Sequence, residues 1–154
     1  MPETKRIANQ LERSQKGSAW HGPALGELLA DVDAELARRR PLPGAHNIWE
    51  LVLHITAWQA AAIGAVNGKP MPNLTDVEDW PSISHTDEDW REAVRHLGRV
   101  NQELVASVNQ FPDARLRERV PDREFTFYFL LHGVVQHNLY HAGQVALLKK
   151  SAKL

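Results

Sequence analysis

Two histidines placed four residues apart, His137 and His141, sit in the middle of a proline-free stretch from Phe127 to Lys150. On a helix, positions four apart lie about 40° apart in rotation and about 6 Å apart along the axis. Both imidazoles would then face one way and offer two nitrogens to one ion. The spacing alone is weak evidence, because eight histidines in 154 residues supply roughly 0.4 such pairs by chance. A third histidine changes the weighing. His54 lies in a segment that is apolar nearly all round (Ile48, Trp49, Leu51, Val52, Leu53, Ile55, Ala57, Trp58). An imidazole buried there needs a partner, since an unpaired polar group in an apolar interior costs about 1–3 kcal/mol. One histidine from one helix and two from another would make a three-nitrogen site for a divalent metal. Zinc is the first expectation, and Ni, Fe or Mn would also suit the donor set. Three protein ligands leave a fourth position open to water or substrate, which is the arrangement of a catalytic rather than a structural zinc.

Other chemistries are excluded by what surrounds these residues. The residue after His137 is Asn138, so the glutamate base of the H-E-x-x-H metalloproteases is missing. No Glu-x-x-His pair of the di-iron bundles occurs, and no glycine-rich phosphate loop of the P-loop type. There is no cysteine, hence no disulfide, no thiolate ligand and no cysteine nucleophile.

The elements that must position the histidines read as helices. Ala19–Arg40 repeats leucines and valine at helical spacing (Leu25, Leu28, Leu29, Val32, Leu36) and stops at Pro41 and Pro43. Ile48–Val66 begins with Asn47 and Glu50 in capping-box spacing and closes at Asn67-Gly68. Asp87–Gln110 starts behind Thr86 and carries Trp90, Val94, Leu97, Leu104 and Val108 on one stripe. Phe127–Lys150 starts behind Thr126 and ends in two lysines suited to a helix C-terminus. Residues 4–16, with Ile7 and Leu11 among charges, predict only a short, partly exposed helix. Residues 116–122 predict an irregular or extended segment. These elements describe an all-α four-helix bundle in one domain over residues 1–154, with helices at 19–40, 48–66, 87–110 and 127–150. The proline-rich connector between the second and third is long enough to return along a helix, so those two can run parallel.

Helical arithmetic places the neighbours of the ligands. Gln144 falls on the face of His137 and His141, either holding a ligand or substrate or packing as an amide at the core edge. Trp58 follows His54 by four and lines the site or packs beside it; Tyr140 flanks the pair and packs or donates a hydrogen bond. Glu50, four before His54, either orients an imidazole or serves only as a cap. His21 is a further pocket candidate. His132 lies roughly 140° away from His137 and is outside the set, and His46, His85 and His96 read as loop or surface residues. Asp79-Trp80-Pro81 suggests a segment folded over the bundle, with no chemistry assigned.

Net charge is −1, which gives no electrostatic reason for a nucleic-acid or membrane partner. The polar first residues do not read as a signal peptide, and no apolar run approaches a membrane span. A soluble cytoplasmic protein acting on a small molecule is expected.

The segment Asn47–Ile55 around His54, followed by Leu130–Val145 around His137 and His141, resembles the DinB-like superfamily of damage-inducible, four-helix-bundle metalloenzymes. The likeness runs from Trp20-His21-Gly22 through Asp79-Trp80-Pro81 to Lys149-Lys150. It implies a long crossover between helices two and three and a divalent metal on His54, His137 and His141. It also implies a metal-dependent enzyme, either a transferase using a low-molecular-weight thiol such as bacillithiol or mycothiol, or a hydrolase. A non-catalytic bundle that binds metal or a small ligand is the alternative. No general base stands beside the ligands, which fits thiolate activation better than water activation. Pairing through bundle faces into a homodimer is a further implication of the resemblance.

Overall fold

The computed structural model describes residues 1–152. Seven α-helices and one 3₁₀ turn are present among them, in the order α1 (Glu3–Lys16), α2 (Leu25–Leu29), α3 (Ala34–Arg38), α4 (Ile48–Val66), α5 (Asp76–Asp79), α6 (Asp87–Gln110), the 3₁₀ turn Asp113–Arg117, and α7 (Phe127–Ser151). The four long helices α1, α4, α6 and α7 form the expected all-α bundle, each packing on two of the others.

The first bundle helix is not the one the sequence suggests. The 19–40 segment is broken into α2 and α3 because Asp33 turns its carboxylate onto the N–H of Leu36 and starts a new helix at Ala34. Its leucines and alanines still pack inward, over the N-terminal halves of α4 and α6. The place in the bundle belongs to α1. Ile7 and Leu11 are fully buried, and so are Thr4, Ala8 and Ser14, small or polar residues that disguise the inward face of the helix. Asp113, just past the end of α6, accepts the backbone N–H groups of Glu3 and Thr4 and the Thr4 hydroxyl. It thereby caps α1 from another part of the chain. Gly17, at φ 102°, ends α1 in a conformation that side chains resist.

The capping signals elsewhere hold. Asn47 and Glu50 form a capping box at α4, and Thr86 and Thr126 cap α6 and α7. Residues 116–122 divide between the 3₁₀ turn and a short extended run whose Arg119 bridges Thr126.

Cross-helix contacts fix the directions. Trp49 meets Trp90 near the starts of α4 and α6, and the C-terminal halves of both helices share a second core cluster, so α4 and α6 run parallel. Residues 67–86 must therefore travel back along α4, about 28 Å for its 19 residues. Leu51 shares a cavity wall with Leu147 and Leu148, and Trp58 shares one with Leu130 and Gly133, so α4 and α7 are antiparallel. The returning crossover passes beside α4 where it faces α7, and carries Asp79 and Trp80 to His54.

A buried polar ladder sets the rotation of α7. Gln59 on α4 donates to Asn138 Oδ1 (3.2 Å), Asn138 donates to Ser14 on α1 (3.4 Å), and Ser14 donates to the Leu11 carbonyl (2.8 Å). Asn138 is thus held toward α1 and α4 by one partner on each, and its neighbour His137 is turned toward His54.

Candidate metal centre

His54 comes from the middle of α4, His137 and His141 from successive turns of α7. One ring nitrogen of each lies within 4.8 Å of the other two, and no other cluster of this kind occurs among the described residues. The ring centroids are 4.5–4.9 Å apart. His54 and His141 are each 6% exposed, and His137 is half-buried.

Hydrogen bonds decide which nitrogens are free. Nδ1 of His54 lies 2.9 Å from the backbone oxygen of Asp79 and 2.9 Å from its carboxylate. Both oxygens only accept, so this nitrogen carries the hydrogen and Nε2 presents its lone pair. Nδ1 of His141 faces Gln144 Oε1 at 2.7 Å, and the same reasoning leaves its Nε2 bare. The free Nε2 of His54 points at Nε2 of His137, 3.0 Å away. Two nitrogens bound to one zinc ion at about 2.0–2.1 Å would be about 2.9–3.4 Å apart for angles between roughly 90° and 110°. The observed separation fits a shared ion. Nδ1 of His137 is buried and has no hydrogen-bond partner.

Burial favours the neutral form of the two α7 histidines. Burial, reinforced by the neighbouring His141 and His54, pushes the His137 pKa from 6.5 down to about 3. Burial also lowers the pKa of His141, opposed by its bond to Gln144. Neutral imidazoles in the physiological range are what a divalent cation requires.

The expected neighbours divide. Gln144 is bonded to His141, as described. Trp58 sits edge-on to His54 and His137 and donates its indole N–H to the Asp79 carboxylate at 2.6 Å. Tyr140 is largely exposed, its ring 5.0 Å from that of His141. Glu50 does not reach His54. Its carboxylate bonds the Asn47 N–H, Arg40 and His46, so the capping role accounts for it. His21 faces a different cavity, bordered by Leu28, Leu139 and Gly143, and is not brought to the three histidines. His132 pairs with Glu3 instead.

Three residues near the histidines were not assigned a role from sequence. Asp79 links His54 to Trp58. The Trp80 ring stacks on His54 (centroids 4.0 Å, 5° between planes), and His46 stacks on the other face of Trp80 (3.4 Å, 1°). Spacing along a helix cannot reveal residues delivered by a crossover; the Asp-Trp-Pro cluster was the available signal.

Two cavities flank the trio. One of about 490 Å³ lies beside His141, walled by His46, Leu51, Trp80, Tyr140 and Gln144. The other, of about 250 Å³, lies beside His137.

No helix among the described residues is long and apolar enough to cross a membrane. No curated protein and no solved structure gives a significant match to the chain. Residues 20–145, from just after α1 to the last turns of α7, match the DinB superfamily. That span holds all three histidines and most of the chain, and the protein belongs to the DinB superfamily.

Proposed function

We propose that this protein is a metal-dependent enzyme that binds one divalent cation through His54, His137 and His141 and transfers a low-molecular-weight thiol to a small electrophile. The observation that carries the metal reading is the convergence of three imidazole nitrogens, two of them held unprotonated. Asp79 and Gln144 hold the hydrogens of two rings on their outer nitrogens, and the inner nitrogens turn toward one another. With a cation bound, the Nε2 of His137, 3.0 Å from that of His54, would give up its hydrogen and join the other two as a ligand.

A divalent ion in this position supplies a Lewis acid that favours the anionic form of a thiol at neutral pH. The chain's own groups do the rest. Asp79 fixes the His54 tautomer and raises its donor strength. Trp80 and Trp58 wall the site with aromatic surface that keeps bulk water from the rings. The carboxylate that reaches the trio is already engaged by His54 and by the Trp58 indole. It is poorly placed to take a proton from water, which favours thiolate chemistry over hydrolysis. Cavities on both sides of the trio provide room for two reactants.

The test uses zinc-loaded protein with bacillithiol or mycothiol and monobromobimane as electrophile. Conjugation above the spontaneous rate, lost in His141→Ala, supports the reading. Absence of conjugation, with hydrolysis of ester or amide substrates in its place, would assign the site to a hydrolase. Absence of both would leave a metal-binding bundle without catalysis.

A further inference from the structure

The cavity beside His137 is chemically unlike the one beside His141. Its walls include Met71, Phe125, Phe129, Val134 and the Trp58 ring, and polar surface is nearly absent. Phe129 stands 66% exposed at the same cavity, its ring 5.5 Å from that of Phe125. Gly133 forms part of the wall, and a Cβ built there would meet nothing within 4 Å. Glycine in a helix interior costs about 1 kcal/mol relative to alanine, and here its effect is to leave the cavity open. The cavity opens to solvent, and its walls give water almost no polar partners of their own. An enclosed apolar cavity of about 150 Å³ holds benzene, and this open one, at about 250 Å³, has room for a substituted ring or a fused bicycle lying against its walls.

We infer that this cavity is the subsite for an aromatic or compact alkyl group of the small molecule that reacts at the histidine site. The continuity is direct, because His137 and Trp58 belong both to the trio's surroundings and to the cavity wall. The inference rests on the proposed function for the identity of the reacting centre. It adds that one reactant carries an uncharged apolar group of about seven to ten carbons.

The chain provides its own reporter. It has two methionines, Met71 in the cavity wall and Met1, which is 86% exposed. Full-length protein labelled with ¹³C at the methionine methyl groups is titrated with 2-naphthylmethanol. The Met71 signal is expected to shift saturably, with a Kd below about 1 mM, while Met1 stays in place. Gly133→Leu fills the cavity and weakens binding by at least about tenfold, whereas Gly133→Ala, which adds one methyl group, stays within about threefold of wild type. The inference is overturned if Met71 does not respond up to the solubility of the probe, or if Gly133→Leu binds like wild type. Zinc content measured on the same samples separates the two readings. A Met71 response in protein that binds no zinc supports the subsite and places the failure in the metal reading. Zinc binding without a Met71 response removes the subsite and leaves the metal reading intact.

Discussion

Replacing His137 with leucine should make the metal-free protein more stable. In the absence of a cation, His137 contributes a buried Nδ1 without a partner, while its Nε2–H donates to the bare Nε2 of His54 at 3.0 Å. A buried polar atom left unsatisfied costs about 1–3 kcal/mol; leucine removes the orphaned Nδ1 and buries an apolar side chain of similar size, but His54 Nε2 loses its donor, so the net gain is about 1 kcal/mol. For a chain of this length the gain corresponds to roughly 2–4 °C in Tm. The pH dependence should change with it. His137 has its pKa lowered from 6.5 to about 3 on folding, chiefly by burial. Between those values the unfolded chain binds more protons than the folded one, so stability rises with pH across this window and is lost as pH falls from 6.5 toward 3. One group contributes at most about 1.4 kcal/mol per pH unit, and less here because solvent reaches part of the ring. His137→Leu removes that contribution. The assay is thermal and urea unfolding in EDTA from pH 7.5 to pH 4.5. If the metal-free leucine variant is less stable than wild type at pH 7, or retains the full slope below pH 6.5, the account of an imidazole held at an energetic disadvantage for the sake of a cation is wrong.

Three other outcomes follow from contacts around the site. Asp79→Ala leaves the backbone carbonyl on His54 but removes the carboxylate from His54 and Trp58. Zinc affinity, read by competition with a chromogenic chelator, is expected to fall about tenfold, the lower end for such supporting groups. Gln144→Leu takes away the only acceptor shown for His141 Nδ1, and the same assay should report a loss of about 10–100-fold with the far-ultraviolet circular dichroism unchanged. Asn138→Ala cuts the ladder from Gln59 to Ser14 and is expected to cost about 1–3 kcal/mol in urea unfolding, as the buried Gln59 amide loses its acceptor while Ser14 keeps the Leu11 carbonyl. A cost near zero would mean that the ladder does not fix the rotation of α7.

The parts of the molecule that were legible in the sequence share one property: their signal is local. Helices α4, α6 and α7 each combine a capping residue with a long run at helical spacing, and the structure starts them behind Asn47, Thr86 and Thr126. The face shared by His137, His141 and Gln144 follows from the same arithmetic. What was not legible depends on partners distant in the chain. The inward face of α1 carries Thr4, Ser14 and Gln15, polar residues buried because α6 and α7 supply contacts, so its stripe reads as too thin for a bundle helix. In 19–40 the leucine pattern is genuine, but Asp33 as a cap divides it, and periodicity does not register a cap inside a run. Asp79, Trp80 and His46 reach the site through the crossover and the loop before α4, where side-chain direction has no period to follow. Glu50 shows the opposite error. Its spacing from His54 suited an orienting role, yet its carboxylate closes the capping box and pairs with Arg40 and His46.

The central claim is that three imidazoles from two helices hold one divalent cation. Calorimetric titration of metal-free protein with zinc at pH 7.5 tests it most directly. Wild type should bind one ion per chain with a Kd below about 1 μM, and His54→Ala, His137→Ala and His141→Ala should each weaken binding on the order of a hundredfold or more. A wild-type protein that takes up no zinc, or one whose affinity survives any of the three substitutions, would contradict the account.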